Sequence, residues 1–213
     1  MAEATDYFAN HRHKLRFPWS LYHQPIVAAL GAALGSSLGP EVLNVGAGPF
    51  FELTRVDATD RRITVCDIDP RAVALARELH GERLAGADVL EPDAPLPYGD
   101  GRFDLVVSMD VIEHLPEAAL LPWLVELFRV TKPGGLVFLT TPNYASKGLV
   151  FLEQTALELV ARRQGFSRQA LHPSKFTPAR LRALLEQAGF GRLDLTPISF
   201  GWVLSACARR PLA

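Results

Sequence analysis

The sequence predicts a doubly wound α/β domain with a mostly parallel, seven-stranded sheet and helices on both faces. Strand-like and helix-like patterns alternate from residue 25 onward. Strand-like runs such as FDLVVSM are nearly continuous in apolar residues, which is typical of parallel strands that are covered on both faces. Repeated strand, helix, strand units require right-handed crossovers and place the ligand-binding loops at the carboxyl ends of the strands.

The first half of the chain contains three of the expected strands. A helix over QPIVAALGAALGSSLG precedes the first strand, EVLNV. The second strand, RITVCDID, leads into the helix DPRAVALARELHG. For this helix Asp69 is the expected N-cap, Pro70 the first residue and Gly81 the stop signal. A third, short strand is expected to end near Asp88.

The second half of the chain continues the alternation with four more strands. The strand FDLVVSM precedes the helix EAALLPWLVELFRV, and KPGG is expected to break the chain before the strand LVFLTT. The segment FTPARLRALLEQAGF predicts a helix that Thr177 caps and that ends at Gly189. Two closing strands, RLDLTP and GWVLSACA, complete the sheet.

Length, composition and charge limit the class of protein. With 213 residues, of which 48% are hydrophobic, the chain can form one domain over residues 1–213. A net charge of −1 predicts no nucleic-acid partner. Cys66 and Cys207 lack the spacing of a zinc site or a disulfide framework, so we expect buried thiols and no metal site. No signal peptide or run of eighteen uncharged apolar residues is found, which favours a cytoplasmic protein without stable membrane insertion.

The segment GAG at residues 46–48 follows the first strand and suggests a nucleotide-binding turn. Glycines permit unusual dihedral angles and let backbone N–H groups approach a ligand, although Gly-x-Gly also occurs in ordinary turns. Asp67 follows the second strand, where a carboxylate could accept both ribose hydroxyls, or it could be a surface aspartate beside Asp69. Phe51 stands where a dinucleotide site prefers a third glycine. A nucleoside without phosphates therefore fits this turn better.

Two longer segments resemble a known family. GADVLEPDAPLPYGDGRFDLVVSMDVIEHLPE and RVTKPGGLVFLTTPN, followed by HPSKFTPARLRALLEQAGF, closely resemble the class I S-adenosylmethionine-dependent methyltransferases. Within this superfamily the chain is most similar to the small-molecule branch that includes the quinone-biosynthesis methyltransferases. The resemblance runs from about Glu41 to Phe190. It implies the Rossmann-like methyltransferase fold, S-adenosylmethionine as the cofactor and methyl transfer to a small-molecule acceptor.

The resemblance also implies a set of cofactor-binding residues. These are Asn44, Gly46, Ala47, Gly48, Asp67, Ile68, Asp88, Val89, Met109 and Asp110. The GAG turn would surround the methionine part of the cofactor. Met109 and Asp110, which begin the loop after the fourth strand, would line the same part. Asp67 would bind the ribose, and Ile68 would lie against the adenine. Asp88 and the Val89 N–H would bind the adenine edge, although Asp88 could instead be a solvated loop residue.

Two departures from the family pattern affect these expectations. Asn44 stands where the family usually has Asp or Glu, so a charge-assisted hydrogen bond near the cofactor's ammonium group would be lost. The segment FFELTRVDATDRR is short and polar, which predicts a stunted first crossover helix. A catalytically silent S-adenosylmethionine-binding regulatory protein is therefore an alternative function, and a nicotinamide-dependent oxidoreductase is a third.

His114 and His172 are the candidate catalytic residues. Methyl transfer from a sulfonium requires positioning of the acceptor and, for a hydroxyl or an amine, removal of its proton. His172 precedes the last helix, where the substrate lid of the family folds back, and it is favoured over His114 in VIEHL, which could support the fold instead. Some methyltransferases use no base, and this alternative also stays open.

Two segments are expected to flank the acceptor site. Residues 1–24 combine cations and aromatic residues, and they predict either a lid or arm or a basic helix packed on its aromatic side chains. Residues 145–175 form a lid-like insertion that contains an apolar helix over residues 149–163. We expect this helix to act as a lid or core element, or else as a homodimer contact or a membrane-interface contact.

Overall fold

The computed structural model describes residues 19–48, 53, 56–163 and 171–212. The strands are β1 (Glu41–Val45), β2 (Arg62–Asp67), β3 (Leu84–Val89), β4 (Phe103–Met109), β5 (Thr131–Pro142), β6 (Gly191–Ile198) and β7 (Val203–Arg209). The helices are α1 (Trp19–Ser36), α2 (Pro70–His80), α3 (Glu117–Val130), α4 (Lys147–Leu152), α5 (Glu158–Arg163) and α6 (Pro178–Gln187). A π-helical turn, Glu153–Leu157, joins α4 to α5, and 3₁₀ turns occupy Gly81–Arg83 and Ile112–His114.

The seven strands form one sheet in the order β3-β2-β1-β4-β5-β7-β6. The pairs among β1 to β5 are parallel, whereas β7 pairs antiparallel with both β5 and β6. This arrangement confirms the predicted mostly parallel, doubly wound sheet. The direction of strand addition reverses between β1 and β4, which is where such sheets bind their ligands.

Two apolar layers cover the two faces of the sheet. One layer contains Leu120 and Leu124 of α3 together with Leu181 of α6. The other layer contains Leu30 of α1 and Val73 of α2. Because each layer includes buried strand residues as well, the prediction of helices on both faces is confirmed.

The predicted helix signals are present at α2 and α6. Asp69 caps α2 by accepting a hydrogen bond from Arg71 N at 2.9 Å, and Thr177 caps α6 in the same way. α2 ends at His80, directly before the predicted stop at Gly81. Gly81 has a right-handed φ of −47° and begins a 3₁₀ turn.

The predicted chain break at KPGG is wrong, because these residues lie inside β5. Thr131 is paired with Phe103, and Leu136 is the partner of Leu105. Residues 132–135 are thus an irregular insertion in a strand that already began at Thr131, with Gly134 at a φ of +77°. The glycines permit a bulge rather than a break.

Both cysteines are free thiols in the sheet, and the expected burial is confirmed for Cys66 but only in part for Cys207. Cys66 on β2 is fully buried, and burial raises its pKa to about 12. Cys207 on β7 is half-buried, and burial raises its pKa to about 11. These thiols are therefore protonated near neutral pH and have a packing role.

Several predictions fall wholly or partly outside the described residues. Residues 1–18 and 164–170 belong to the predicted arm and to the lid-like insertion, and most of FFELTR lies outside as well. Residues 19–24 belong to α1, and residues 56–61 contain no helix. The segment from Lys147 to Arg163 is helical throughout, with Phe151 and Leu159 exposed and Glu153 buried. None of the helices in the described ranges has the length and apolar character needed to span a membrane.

The turn after β1 depends on two glycines with positive φ, Gly46 (+68°) and Gly48 (+48°). The N–H groups of Gly46 and Ala47 both donate to the Cys66 carbonyl on β2, at 2.9 and 3.1 Å. A methyl group on Gly46 would overlap Val111 Cγ2, whereas one on Gly48 would meet none of the described atoms within 4 Å. The two glycines therefore share a backbone requirement but differ in the space around them.

We expect Gly46→Ala to lower the free energy of unfolding more than Gly48→Ala. The left-handed backbone costs each alanine about 1 to 2 kcal/mol, and Gly46→Ala adds the overlap with Val111. Urea denaturation of the two variants and the parent protein measures the difference. Equal losses would show that the Val111 contact imposes no steric limit.

Candidate functional site

A cleft of about 970 Å³ opens at the carboxyl ends of β1, β2 and β4. It lies where the strand order reverses between β1 and β4, as expected for this class of sheet. Ligand pockets usually measure about 300 to 1,000 Å³. The cleft is therefore at the upper end of this range, with room for more than one small molecule.

Most of the residues predicted to bind the cofactor line this cleft. They are Gly46, Ala47, Gly48, Asp67, Ile68, Met109 and Asp110, and His114 lines it as well. Asn44, Asp88, Val89 and His172 are not among its lining residues. The structure thus brings together the turn after β1, the end of β2 and the loop after β4.

Asp67 joins two of the loops that form the cleft. Its Oδ2 accepts a hydrogen bond from Gly48 N and its Oδ1 accepts one from Asp69 N, each at 2.9 Å. A carboxylate has about four lone-pair sites, so these two bonds leave capacity for further donors. Ile68, beside it, is 64% exposed and also lines the cleft. A carboxylate next to an exposed apolar side chain is a surface suited to a nucleoside.

Asp88 is oriented by a tyrosine rather than towards the cleft. Its Oδ2 accepts a hydrogen bond from the Tyr98 hydroxyl at 2.9 Å. Tyr98 is only 6% exposed, and a buried tyrosine hydroxyl needs a hydrogen-bond partner. Leu90 and Glu91 line the cleft instead. The adenine contact predicted for Asp88 and Val89 stays a prediction, and the cleft lining nearest to them in the chain is formed by Leu90 and Glu91.

Asn44 lies inside the sheet and not in the cleft. It is 1% exposed and is paired with Val65 on one side and Val107 on the other. Within the described part of the chain, its Oδ1 has no hydrogen-bond partner. Side chains alternate along a strand, so Asn44 and the cleft-lining Val45 face opposite sides. Asn44 is therefore a buried residue of the sheet and is not among the residues that line the cleft.

The loop after β4 is held by the end of β5. Asp110 has a φ of +53°, and its N–H donates to the Thr140 carbonyl at 3.0 Å. Thr140 Oγ1 donates to Asp110 Oδ1, also at 3.0 Å. Glu113, three residues later, is 1% exposed and accepts a hydrogen bond from Thr141 Oγ1. Burial raises the pKa of Glu113 well above its usual value, and the Asp110 carboxylate raises it further.

The two candidate catalytic histidines lie side by side. Their ring centroids are 5.0 Å apart in an edge-on arrangement. His114 is exposed and lines the cleft, whereas His172 is buried and hydrogen-bonded through Nδ1 to the Tyr144 hydroxyl at 3.0 Å. The preference for His172 over His114 as the group that reaches the acceptor is therefore not supported by their positions.

The sequence patterns did not predict one wall of the cleft. It is formed by residues of α3 and of the turn before it, namely Leu115, Ala119, Pro122, Trp123 and Val125. The sequence predicted a helix over EAALLPWLVELFRV, but it did not indicate that this helix borders a cleft.

The comparisons with known proteins agree with this geometry. A family model described as a methyltransferase domain matches residues 43–139. A ubiquinone biosynthesis O-methyltransferase of Bordetella bronchiseptica is 27% identical over 183 residues, which cover 81% of this chain and 73% of that protein. A Mycolicibacterium smegmatis protein named as a probable S-adenosylmethionine-dependent methyltransferase is 31% identical over 76% of this chain and 56% of its own length.

Solved structures share the fold at low sequence identity. A Burkholderia thailandensis 1,6-didemethyltoxoflavin-N1-methyltransferase, solved with bound S-adenosylhomocysteine, has a TM-score of 0.64 and 23% identity, with 96% of this chain and 85% of that chain covered. An Aquifex aeolicus methyltransferase has a TM-score of 0.64 and 19% identity over 92% and 95% of the two chains. The alternative of a nicotinamide-dependent oxidoreductase has no support among these matches. Together, the sequence matches and the sheet order make the chain similar to the class I S-adenosylmethionine-dependent methyltransferases and support that superfamily.

Proposed function

We propose that the acceptor of this methyltransferase is a small, partly apolar molecule with a hydroxyl group, and that it binds between His114 and α3. The observation that carries this proposal is the continuity of the cleft, which extends from the turn after β1 to the apolar wall of α3. One cavity can therefore hold a methyl donor and its acceptor side by side. The relative named a ubiquinone biosynthesis O-methyltransferase supports an oxygen nucleophile.

The residues on the β1 side of the cleft fit S-adenosylmethionine. Gly48 lines the cleft and has no side chain, so a ligand can approach its backbone. Asp67 is held by two backbone N–H groups and can accept ribose hydroxyls on its remaining lone pairs, while Ile68 offers an apolar contact to a base. When bound there, S-adenosylmethionine supplies a methyl group already activated on a sulfonium. The residues of the chain need to orient the acceptor and keep water out.

The residues on the α3 side fit an apolar acceptor that carries one polar group. Leu115 and Trp123 offer apolar and aromatic surface. His114 Nδ1 lies 2.7 Å from the Leu171 carbonyl oxygen. A carbonyl oxygen can only accept, so Nδ1 carries the proton and Nε2 of the neutral ring carries the lone pair. An acceptor hydroxyl beside His114 would thus meet a nitrogen with an available electron pair.

Two finer proposals concern location and assembly. The free thiols Cys66 and Cys207 support a reducing, cytoplasmic location.

Phe151 is 69% and Leu159 is 55% exposed. Their exposure on neighbouring helices supports a homodimer contact through this surface, which size-exclusion chromatography with multi-angle light scattering can test.

We expect Asp67→Ala to weaken S-adenosylhomocysteine binding by about 1.5 to 3 kcal/mol, the usual contribution of a hydrogen bond to a charged group. Isothermal titration calorimetry measures the binding constant. Asp60→Ala is the matched control, because the Asp60 side chain is 77% exposed and pairs only with the adjacent Arg61 in the described structure. An unchanged binding constant in Asp67→Ala would remove this carboxylate from the site.

We expect methyl transfer to small aromatic acceptors that carry a free hydroxyl, and none to matched analogues in which hydrogen replaces the hydroxyl. Mass spectrometry of the reaction products detects the added methyl group. Transfer to amines alone would contradict the proposed oxygen acceptor. Binding of S-adenosylhomocysteine without turnover of any acceptor would favour the silent regulatory alternative.

A further inference from the structure

Three potential metal ligands converge behind the acceptor wall of the cleft. Glu113, His114 and His172 each offer one ligand atom, and these atoms lie within 4.8 Å of one another. The first two residues follow β4, and the third lies on the segment 171–176, which precedes α6 and which we call the strap. We infer that these three residues bind a divalent transition-metal ion and that the ion binds the acceptor's hydroxyl oxygen. The role towards the acceptor rests on the proposed function, whereas the metal site does not.

The charge at the cluster favours a bound cation. Glu113 is 1% exposed, and Glu153, which lies 3.7 Å from His172 Nδ1, is 7% exposed. Asp110 adds a third carboxylate close to Glu113. Within the described ranges, no lysine or arginine forms an ion pair with Glu113. A buried carboxylate without a cationic partner is costly, and a divalent ion would compensate for it.

The two histidines are oriented as metal ligands usually are. A histidine that binds a metal through one ring nitrogen commonly engages the other with a carbonyl, a carboxylate or another polar group. His114 Nδ1 donates to the Leu171 carbonyl at 2.7 Å. His172 Nδ1 lies 3.0 Å from the Tyr144 hydroxyl and 3.7 Å from a Glu153 carboxylate oxygen. Nε2 is therefore the nitrogen that each ring would present to the ion.

Hydrogen bonds from Ser174 hold the strap against the loop that carries the other two ligands. Ser174 N donates to the Glu113 carbonyl at 3.2 Å, and Ser174 Oγ donates to the Leu115 carbonyl at 2.7 Å. Two residues later, the Phe176 carbonyl accepts from Tyr144 N at 2.8 Å. The ligands are thus fixed relative to one another before any ion binds, which is what a metal site requires.

The ligand set indicates the class of ion. Two imidazole nitrogens and one carboxylate oxygen suit Zn²⁺, Fe²⁺, Co²⁺ or Mn²⁺ better than Mg²⁺ or Ca²⁺, which prefer oxygen ligands. Three protein ligands leave coordination positions for other molecules. Because His114 also lines the cleft, an acceptor in the cleft can reach one of these positions.

A metal ion at this place changes how the acceptor loses its proton. A bound divalent ion acts as a Lewis acid and lowers the pKa of a hydroxyl that coordinates it. The hydroxyl proton leaves to solvent, the oxygen forms its bond to the methyl carbon, and the carbon–sulfur bond of the donor breaks to leave a neutral thioether. With Nε2 on the metal, His114 is a ligand and not the general base.

The metal site is tested by a binding measurement that does not depend on activity. The full chain, stripped with a chelator, is dialysed against Zn²⁺, Co²⁺, Mn²⁺ or Mg²⁺, and the bound metal is quantified by mass spectrometry. Visible absorption of the Co²⁺ form reports the ligand geometry. We expect one transition-metal ion per chain and weaker binding of Mg²⁺. Glu113→Gln and His172→Gln should each lower the affinity by at least about 10-fold to 100-fold, the loss seen even when groups behind the ligands are removed.

Two further variants keep the result interpretable. His80→Gln on α2 is the control, since His80 lies outside the cluster, and it should bind the ion as the parent does. His114→Gln changes an exposed ligand, so it should lose the ion even if a buried substitution disturbs folding. Binding of S-adenosylhomocysteine confirms that each variant is folded. Parent protein that binds S-adenosylhomocysteine but no transition metal, or equal metal affinity in all four variants, would overturn the site.

The role of the metal ion towards the acceptor is tested by a separate measurement of methyl transfer. Methyl transfer to a hydroxyl acceptor should fall at least tenfold on chelation and return when the ion is restored. Equal rates of methyl transfer with and without the bound ion would overturn this role. Metal binding that depends on the cluster, without turnover of any hydroxyl acceptor, would leave the metal site supported and would count against the proposed function instead.

Discussion

The hydrogen bonds of Asp67 are the constraint on which the β1 side of the cleft depends. Its carboxylate accepts from Gly48 N after β1 and from Asp69 N after β2, while its backbone carbonyl accepts from Leu90 N after β3. One residue thus fixes three loops that belong to neighbouring strands. Bonds from charged groups are stronger than neutral ones, so the cleft retains its shape where the chain has little regular structure.

The α3 side of the cleft is organised in a different way. Here the loop after β4 is joined to the end of β5 through Thr140 and Thr141, and to the strap through Ser174. These contacts connect parts of the chain that are far apart in sequence. The wall of the cleft therefore forms only when the loop, the end of β5 and the strap have all packed together.

The sequence predicted the sheet well because burial on both faces imposes nearly continuous apolar runs on parallel strands. The cap residues Asp69 and Thr177 could also be predicted, since capping depends on local hydrogen bonds. Asp67 could be found because the spacing of strand and turn is regular in this fold. The bulge at residues 132–135 could not, since glycine and proline signal irregular backbone without showing whether a strand continues through it.

Side-chain direction and contacts between distant parts of the chain explain where the positions of the predicted site residues differ from expectation. Asn44 follows the alternation of β1 and faces away from the cleft, although its position in the motif suggested otherwise. Asp88 is oriented by Tyr98, ten residues later and brought back by a loop. His172 reaches Glu113 and His114 only because the strap folds against the loop after β4. No spacing rule for metal ligands covers such a separation.

The position of β7 has a consequence for the order in which the protein can fold during synthesis. β7 is the last of the described strands in the chain, yet it lies inside the sheet, between β5 and β6. The hydrogen-bonding edge of β5 cannot be covered by its native partner until residues 203–209 have left the ribosome. A chain emerges at about 5 to 20 residues per second, so a nascent chain exposes this apolar strand edge for several seconds. During this time the edge is a template on which strands of other chains can pair.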